Sequence, residues 1–512
     1  MNLEISPNLY HLFATHFPAD RSLTAIETPD GTTYSWADLE RESARLANLL
    51  AGLDLAAGSR VAVQVEKSPQ ALFLYLATLR AGLVYLPLNT AYREAEIEYF
   101  IGNAEPAIVV CDPKQREWVG KIADAAGVRR VFTLDEHGQG DLMDAAAGLA
   151  DSFDTVPREL DDLAAILYTS GTTGRSKGAM LTHGNLASNA LVLHDYWGWR
   201  PREGQDVLLH ALPIFHIHGL FVAIHAVLLS GSKMLWLPRF DAATVLRWLP
   251  QATVFMGVPT YYVRLLAEEG LTRELCAKMR LFISGSAPLL SETFDAFQAR
   301  TGHTILERYG MSETAMLVSN PYYGEAAAVR RAGTVGLPLP GTKVRVVDDE
   351  GAACPVDEIG HIQVQGPNVF AGYWRMPEKT AEEFTADGYF KTGDVGRFDA
   401  RGYLSIVGRS KDLIISGGYN VYPKEIEGVI DEMPGVAESA VIGVPHADFG
   451  EAVVAVVVPR TGAQLDGAAI IAELKGRIAN FKVPKRVHFV DELPRNTMGK
   501  VQKNVLRERF GE

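Results

Sequence analysis

Apolar positions in the first 400 residues follow two alternating periods. Short β-branched runs such as Arg60-Val-Ala-Val-Gln-Val65, Ala107-Ile-Val-Val-Cys111 and Arg130-Val-Phe-Thr-Leu134 predict strands. Between such runs, residues 39–53 carry apolar side chains at spacings of three and four, which predicts a helix packed on a sheet. Strands alternating with helices mark βαβ units and parallel sheets. Residues 163–167 predict a further buried strand. From Gly333 the helical period fades into short strands and turns, as in Gly341-Thr-Lys-Val-Arg-Val-Val-Asp348 and Gly360-His-Ile-Gln-Val-Gln-Gly366. A small barrel or sandwich is expected there. After Lys411 the segment Ile414-Ile-Ser-Gly-Gly-Tyr-Asn420 leads into about one hundred residues of mixed α and β pattern, a size that suits a separate small domain.

At 512 residues the chain exceeds what one core usually holds, so at least two domains are expected. Hydrophobic residues make up 47% and charged residues 22%, a globular balance with no long disordered tract. A net charge of −13 argues against nucleic acid and anionic membranes as partners, so any anionic ligand needs a local basic site. Cys111, Cys276 and Cys354 lack the spacing of a zinc site or redox pair. Residues 1–13 have no basic segment followed by an apolar core, so no secretory signal is expected. The apolar stretch 452–458 suits a strand and is far shorter than the roughly 20 residues that span a bilayer. A cytoplasmic protein is expected.

Candidate chemistry gathers in Tyr168-Thr-Ser-Gly-Thr-Thr-Gly-Arg-Ser-Lys-Gly178, which follows the strand expected at 163–167. Free backbone N–H groups, hydroxyls and Lys177 at a strand end suit phosphate oxygens. A Gly/Ser/Thr loop taken alone is more often an ordinary turn, and no Gly-Lys-Ser/Thr triplet makes this a Walker loop. Four further segments follow: Glu307-Arg-Tyr-Gly-Met-Ser-Glu-Thr314, Tyr389-Phe-Lys-Thr-Gly-Asp394, Gly408-Arg-Ser-Lys-Asp412 and Pro494-Arg-Asn-Thr-Met-Gly-Lys500. In wording and order these segments resemble the motifs of the adenylate-forming superfamily, which includes acyl-CoA synthetases, amino-acid-adenylating domains and luciferases. That resemblance implies an α/β fold: a large N-terminal part (1–409) of parallel βαβ subdomains plus a small β-barrel, and a small mobile α+β C-terminal lid (410–512).

The resemblance also implies ATP, Mg2+ and coenzyme A as cofactors or co-substrates. Thr169, Ser170, Gly171, Thr172, Thr173, Gly174 and Lys177 would hold the departing pyrophosphate. Ser286, Ala287, Glu307, Tyr309, Gly310, Met311 and Ser312 would surround the adenine and α-phosphate, while Asp394 accepts from the ribose hydroxyls beside Arg409. Glu313 is the implied Mg2+ ligand, since that hard cation prefers carboxylate and phosphate oxygens. Lys500 is the implied catalytic lysine, Lys411 the hinge, and Gly417, Gly418 and Tyr419 a lid loop facing coenzyme A. Related enzymes are acetylated at the position of Lys500, which implies a lysine acetyltransferase as a partner and loss of the lysine's charge.

The residue before the Tyr309-Gly310 pair departs from the family pattern, which usually has a small residue there; this chain has Arg308. A buried guanidinium needs a partner, and the second carboxylate of a short diacid would provide one. Together with Leu281-Phe-Ile-Ser-Gly-Ser-Ala-Pro288 and Pro213-Ile-Phe-His-Ile-His-Gly219, this segment most resembles the malonyl-CoA synthetases of the superfamily, with methylmalonate as a further acid. His216 would stand on the acyl-pocket wall, and Arg239 is a second basic candidate. The alternatives are that Arg308 pairs with Glu307 or another acid outside the pocket, that the substrate is a short or medium monocarboxylic acid, and that the chain is a non-enzymatic binding protein. His216 and His218 lack a partner at metal-ligand spacing.

Overall fold

The computed structural model describes residues 7–169, 176–199, 206–323, 330–416, 419–446, 450–496 and 499–511. The strand Arg60–Gln64 shows why its residue types recur through the N-terminal part. Val61 and Val63 point into one apolar cluster, and Ala62 points into another formed by the helices Glu94–Ala104 and Arg116–Ala125. A strand covered on both faces can be apolar at successive positions, and this is the usual condition of parallel strands. The six-stranded sheet runs Arg130–Thr133, Ile108–Cys111, Arg60–Gln64, Val84–Pro87, Leu163–Thr169, Lys177–Thr182. All its pairings are parallel except the last, which places Lys177 opposite Thr169.

A nine-stranded sheet forms the second layer, in the order Leu337–Pro338, Ala315–Ser319, Leu306–Met311, Leu281–Ser284, Val254–Gly257, Val207–His210, Lys233–Trp236, Thr24–Glu27, Thr33–Ser35. The helix Pro69–Arg80 is buried on every side because it lies in the cluster shared by the two sheets. Ser68 caps it, accepting from Ala71 N, and Pro69 occupies its first turn.

The short strands expected after residue 333 form a four-stranded antiparallel meander, Lys343–Val347, Gly360–Gln365, Phe390–Phe398, Leu404–Arg409. Four strands are too few to close around their own side chains. Val346, Ile362, Val364, Phe390 and Leu404 instead join the main N-terminal core. From Ile414 onward a five-stranded sheet has its own two apolar clusters, with Val453, Ala455 and Val457 on one face and Val454, Val456 and Val458 on the other. Among the described residues no helix is long and apolar enough to cross a membrane.

Candidate active site

The strand Leu306–Met311 ends where the two large sheets and the meander meet, and it turns through residues 312–314 into Ala315–Ser319. Alternation along it sends neighbours to opposite faces. The Glu307 carboxylate accepts from Leu289 N at 3.1 Å through Oε1, Oε2 has no partner, and burial raises the acid to about 8. Arg308 is 3% exposed and faces away from this acid. Its Nε and Nη2 are buried without hydrogen-bond partners, and burial lowers its guanidinium to about 9. Gly285 makes room for it: a Cβ there would lie 2.4 Å from Arg308 Cζ. Among the described residues Arg308 therefore has no ion pair with Glu307 or any other acid.

Near that guanidinium stand Tyr262 and His218, whose Nδ1 is 3.4 Å from Ser286 Oγ; the buried hydroxyl of Ser284, next to Gly285, has no partner. Ser286 has φ +71, so residues 285–288 turn sharply away from the strand end toward Ala287. His216 is half-buried and lowered to about 3, first by burial and then by the positive charges of Lys500 and Arg308. Burial, and then Arg308, lowers His218 as well, so both imidazoles are neutral at physiological pH.

Lys500 enters from the C-terminal sheet's side. Its backbone N donates to Asn496 Oδ1, and a Cβ on adjacent Gly499 would lie 3.4 Å from Thr260 Oγ1 of the N-terminal part. The residue as a whole is exposed, while the surroundings of its ammonium are crowded by protein; that desolvation and then Arg409 lower the ammonium to about 8, opposed by Asp394 and Glu313. Asp394 and Arg409 are cross-strand partners in the meander, with Arg409 Nε 2.8 Å from Asp394 Oδ1, and the Tyr309 hydroxyl donates to the same carboxylate. Gly310 and Met311 complete the strand, and half-buried Ser312 starts the turn.

Glu313, 6% exposed, follows Ser312; its Oε1 accepts from the Tyr373 hydroxyl at 3.0 Å, and burial raises its pKa. Lys177 lies over the Tyr373 ring. Contacts and charge interactions thus link Lys177, Glu313, Asp394, Arg409, Tyr309, Lys500, His216, Arg308 and Ser286, with Thr169 paired to Lys177, whereas Glu307 lies on the other face of its strand against Leu289. Arg239 is elsewhere, exposed on a separate cavity of about 600 Å³ with Gln64, Lys67 and Lys114. Lys411 lies in the turn Ser410–Asp412 that joins the two parts. Tyr419 begins a short strand opposite Ser416. Ser170, Gly171, Thr172, Thr173, Gly174, Gly417 and Gly418 fall outside the described residues.

Sequence reasoning missed Tyr373, Glu383 and Thr260. It also missed Lys67, which is buried and donates to His210 O at 2.8 Å with its Nζ 2.6 Å from His210 Nδ1. None of these belongs to a motif quoted above, and each reaches its neighbour through long-range folding.

A family model described as AMP-binding enzyme matches residues 13–374, and one described as AMP-binding enzyme C-terminal domain matches residues 425–500. The chain belongs to the AMP-binding enzyme family. Its adenylate-forming fold superposes on that of the ATP-bound crystal structure of MatB from Rhodopseudomonas palustris with a TM-score of 0.95, at 58% identity over 98% of this chain and 99% of that one. Against the apo form of MatB the TM-score is 0.85 at 57% identity, covering 99% of each chain. Malonate–CoA ligase of Arabidopsis thaliana is 34% identical over 526 residues, which is 94% of this chain and 85% of the relative. Feruloyl-CoA synthase of Amycolatopsis sp is 37% identical over 492 residues, which is 94% of this chain and 95% of that family member.

Proposed function

We propose that the protein is an AMP-forming malonate–CoA ligase, with methylmalonate as a further acid. The observation that carries this reading is Arg308: a buried guanidinium with two unpaired nitrogens, near the same His216 imidazole that feels the charge of Lys500. A distal carboxylate would satisfy those nitrogens in a bidentate pair. The reacting carboxylate would then point toward Lys500. A monocarboxylic acid such as a ferulate would leave Arg308 unpaired beside it, and an uncompensated buried charge costs about 3–5 kcal/mol.

In the first half-reaction a carboxylate oxygen attacks the α-phosphorus of ATP, the bond to the bridging oxygen breaks, and pyrophosphate leaves. Lys500 neutralises charge on the reacting oxygens, Lys177 holds the departing pyrophosphate, and Asp394 with Arg409 fixes the ribose. Glu313 suits Mg2+: it is a buried carboxylate raised by burial, with a phenol as its hydrogen-bond donor. Among the described residues no group of three metal-ligating side chains occurs, so the remaining ligands would be phosphate oxygens and water. When bound, that cation supplies neutralisation of phosphate charge. In the second half-reaction the thiol of coenzyme A attacks the acyl carbon, its proton passes to solvent, and AMP leaves. Rotation of residues 410–512 about Lys411 would withdraw Lys500 and bring residues 417–419 to the thiol. Acetylation of Lys500 would stop the first step, and mass spectrometry of Lys500 tests whether it occurs.

The deciding experiment is a substrate panel scored by pyrophosphate release and thioester formation. Malonate should exceed acetate, octanoate, benzoate and ferulate by about two orders of magnitude in kcat/KM, the scale of 3 kcal/mol. Arg308→Gly should remove that preference while ATP binding persists. Comparable turnover of a monocarboxylate by the unaltered enzyme, or an unchanged preference in Arg308→Gly, refutes the assignment.

A further inference from the structure

Lys177 already has an anion within reach. Its Nζ lies 3.5 Å from Glu383 Oε1 and 4.2 Å from the centre of the Tyr373 ring. Glu383 is the last residue of the short helix Pro377–Glu383, and its carboxylate also meets Lys379 Nζ at 3.1 Å. Backbone bonds hold this helix against the strand that carries Lys177. Trp374 N donates to Gly178 O at 2.8 Å, Met180 N donates to Gly372 O at 3.0 Å, and Tyr373 N donates to Thr380 Oγ1 at 2.9 Å. The Tyr373 hydroxyl in turn donates to Glu313. One continuous arrangement therefore joins Glu383, Lys177, Tyr373 and Glu313, three of which border the expected phosphate site.

The pair is built for exchange. Both side chains are mostly covered, at 22% and 24% exposure, so water screens them less than it would a surface pair. Glu383 keeps Lys379 as a second cation, so giving up Lys177 does not leave it alone. Lys177 can keep the Tyr373 ring face, 4.2 Å from its ammonium, as long as it stays over the ring when it turns from Glu383. A polyphosphate carries more negative charge than one carboxylate and would displace it.

We propose that Glu383 is a positioning residue that competes with polyphosphate for Lys177, retaining the ammonium between turnovers and helping pyrophosphate to leave. This rests on Lys177 being a phosphate ligand. The test is ATP–pyrophosphate exchange with malonate, measuring KM for ATP and the inhibition constant of pyrophosphate. Glu383→Gln keeps the shape and removes the charge, and both constants should fall roughly three- to fivefold, the scale of a partly exposed ion pair. Lys379→Met, which leaves Glu383 to Lys177 alone, should move both constants upward. In the Lys177→Met background the Glu383→Gln effect should vanish, which a merely structural role would not produce. Constants that stay the same or rise in Glu383→Gln overturn the proposal. If Lys177→Met itself leaves both constants unchanged, the phosphate reading fails instead.

Discussion

A positively charged side chain enclosed by protein without a counter-ion raises the free energy of the folded chain, and Arg308 is such a side chain. Lys500 presents the related case of an ammonium held near its titration point. With its pKa lowered to about 8, it is charged at neutral pH and becomes an amine as pH rises. Under the proposed mechanism adenylation uses this charge, so kcat/KM for ATP, which reports the free enzyme, should be level below about pH 8 and fall about tenfold per unit above it. Initial rates of pyrophosphate release at sub-saturating ATP across that range measure this, and Lys500→Arg should lack the alkaline fall. A wild-type profile flat to about pH 10 would contradict the role. Arg308, Glu313 and Lys500 were legible because each sits inside a contiguous motif. Tyr373 and Glu383 were not, since an aromatic before a Pro-initiated helix and a glutamate at its end are ordinary in sequence and acquire meaning only beside Lys177.

Elements decide how such residues approach each other. The strands Leu281–Ser284 and Leu306–Met311 pair in parallel, with Ser284 opposite Glu307, and this register brings Gly285 under the Arg308 side chain. Gly285→Ala should therefore leave the nucleotide residues in place while driving the guanidinium out of its position, with an overpacking penalty of about 1–3 kcal/mol. The expected result is a malonate KM raised at least tenfold with KM for ATP little changed, checked by steady-state kinetics beside a thermal melt. The strand Gly450–Pro459 was readable from the sequence because both its faces are covered and every position from 452 to 458 is apolar. Strand order in the nine-stranded sheet was not. Thr24–Glu27 pairs with Lys233–Trp236, some two hundred residues on, and no local pattern encodes that choice. The short strands expected after residue 333 as a small barrel or sandwich were readable as strands, whereas their packing onto the N-terminal core was not, because no local pattern encodes it.

Across the whole molecule, the C-terminal part faces the cleft with Lys500 inward and Gly499 against Thr260, and the arrangement superposes better on ATP-bound than on apo MatB. Lys411 lies in the turn between the parts, and Asp412 beside it pairs with Arg507 at 2.9 Å on the last helix, Lys503–Phe510. Fixing φ at that turn should hold one arrangement. Lys411→Pro is expected to retain malonyl-adenylate formation within about threefold and to lose thioester formation by about two orders of magnitude. The two half-reactions assayed separately decide this, and equal losses in both would refute a hinge. The two cations that act on His216, Lys500 and Arg308, have a consequence for fidelity. Arg308 belongs to a strand of the N-terminal part and Lys500 to the C-terminal part, so under the proposed rotation they would form a caliper with one jaw that opens. An acid is gauged only while the jaws face each other, before its bond to phosphorus forms. Once Lys500 had withdrawn, that caliper would no longer act, and an acid of the wrong length already joined to AMP would be passed on to the thiol.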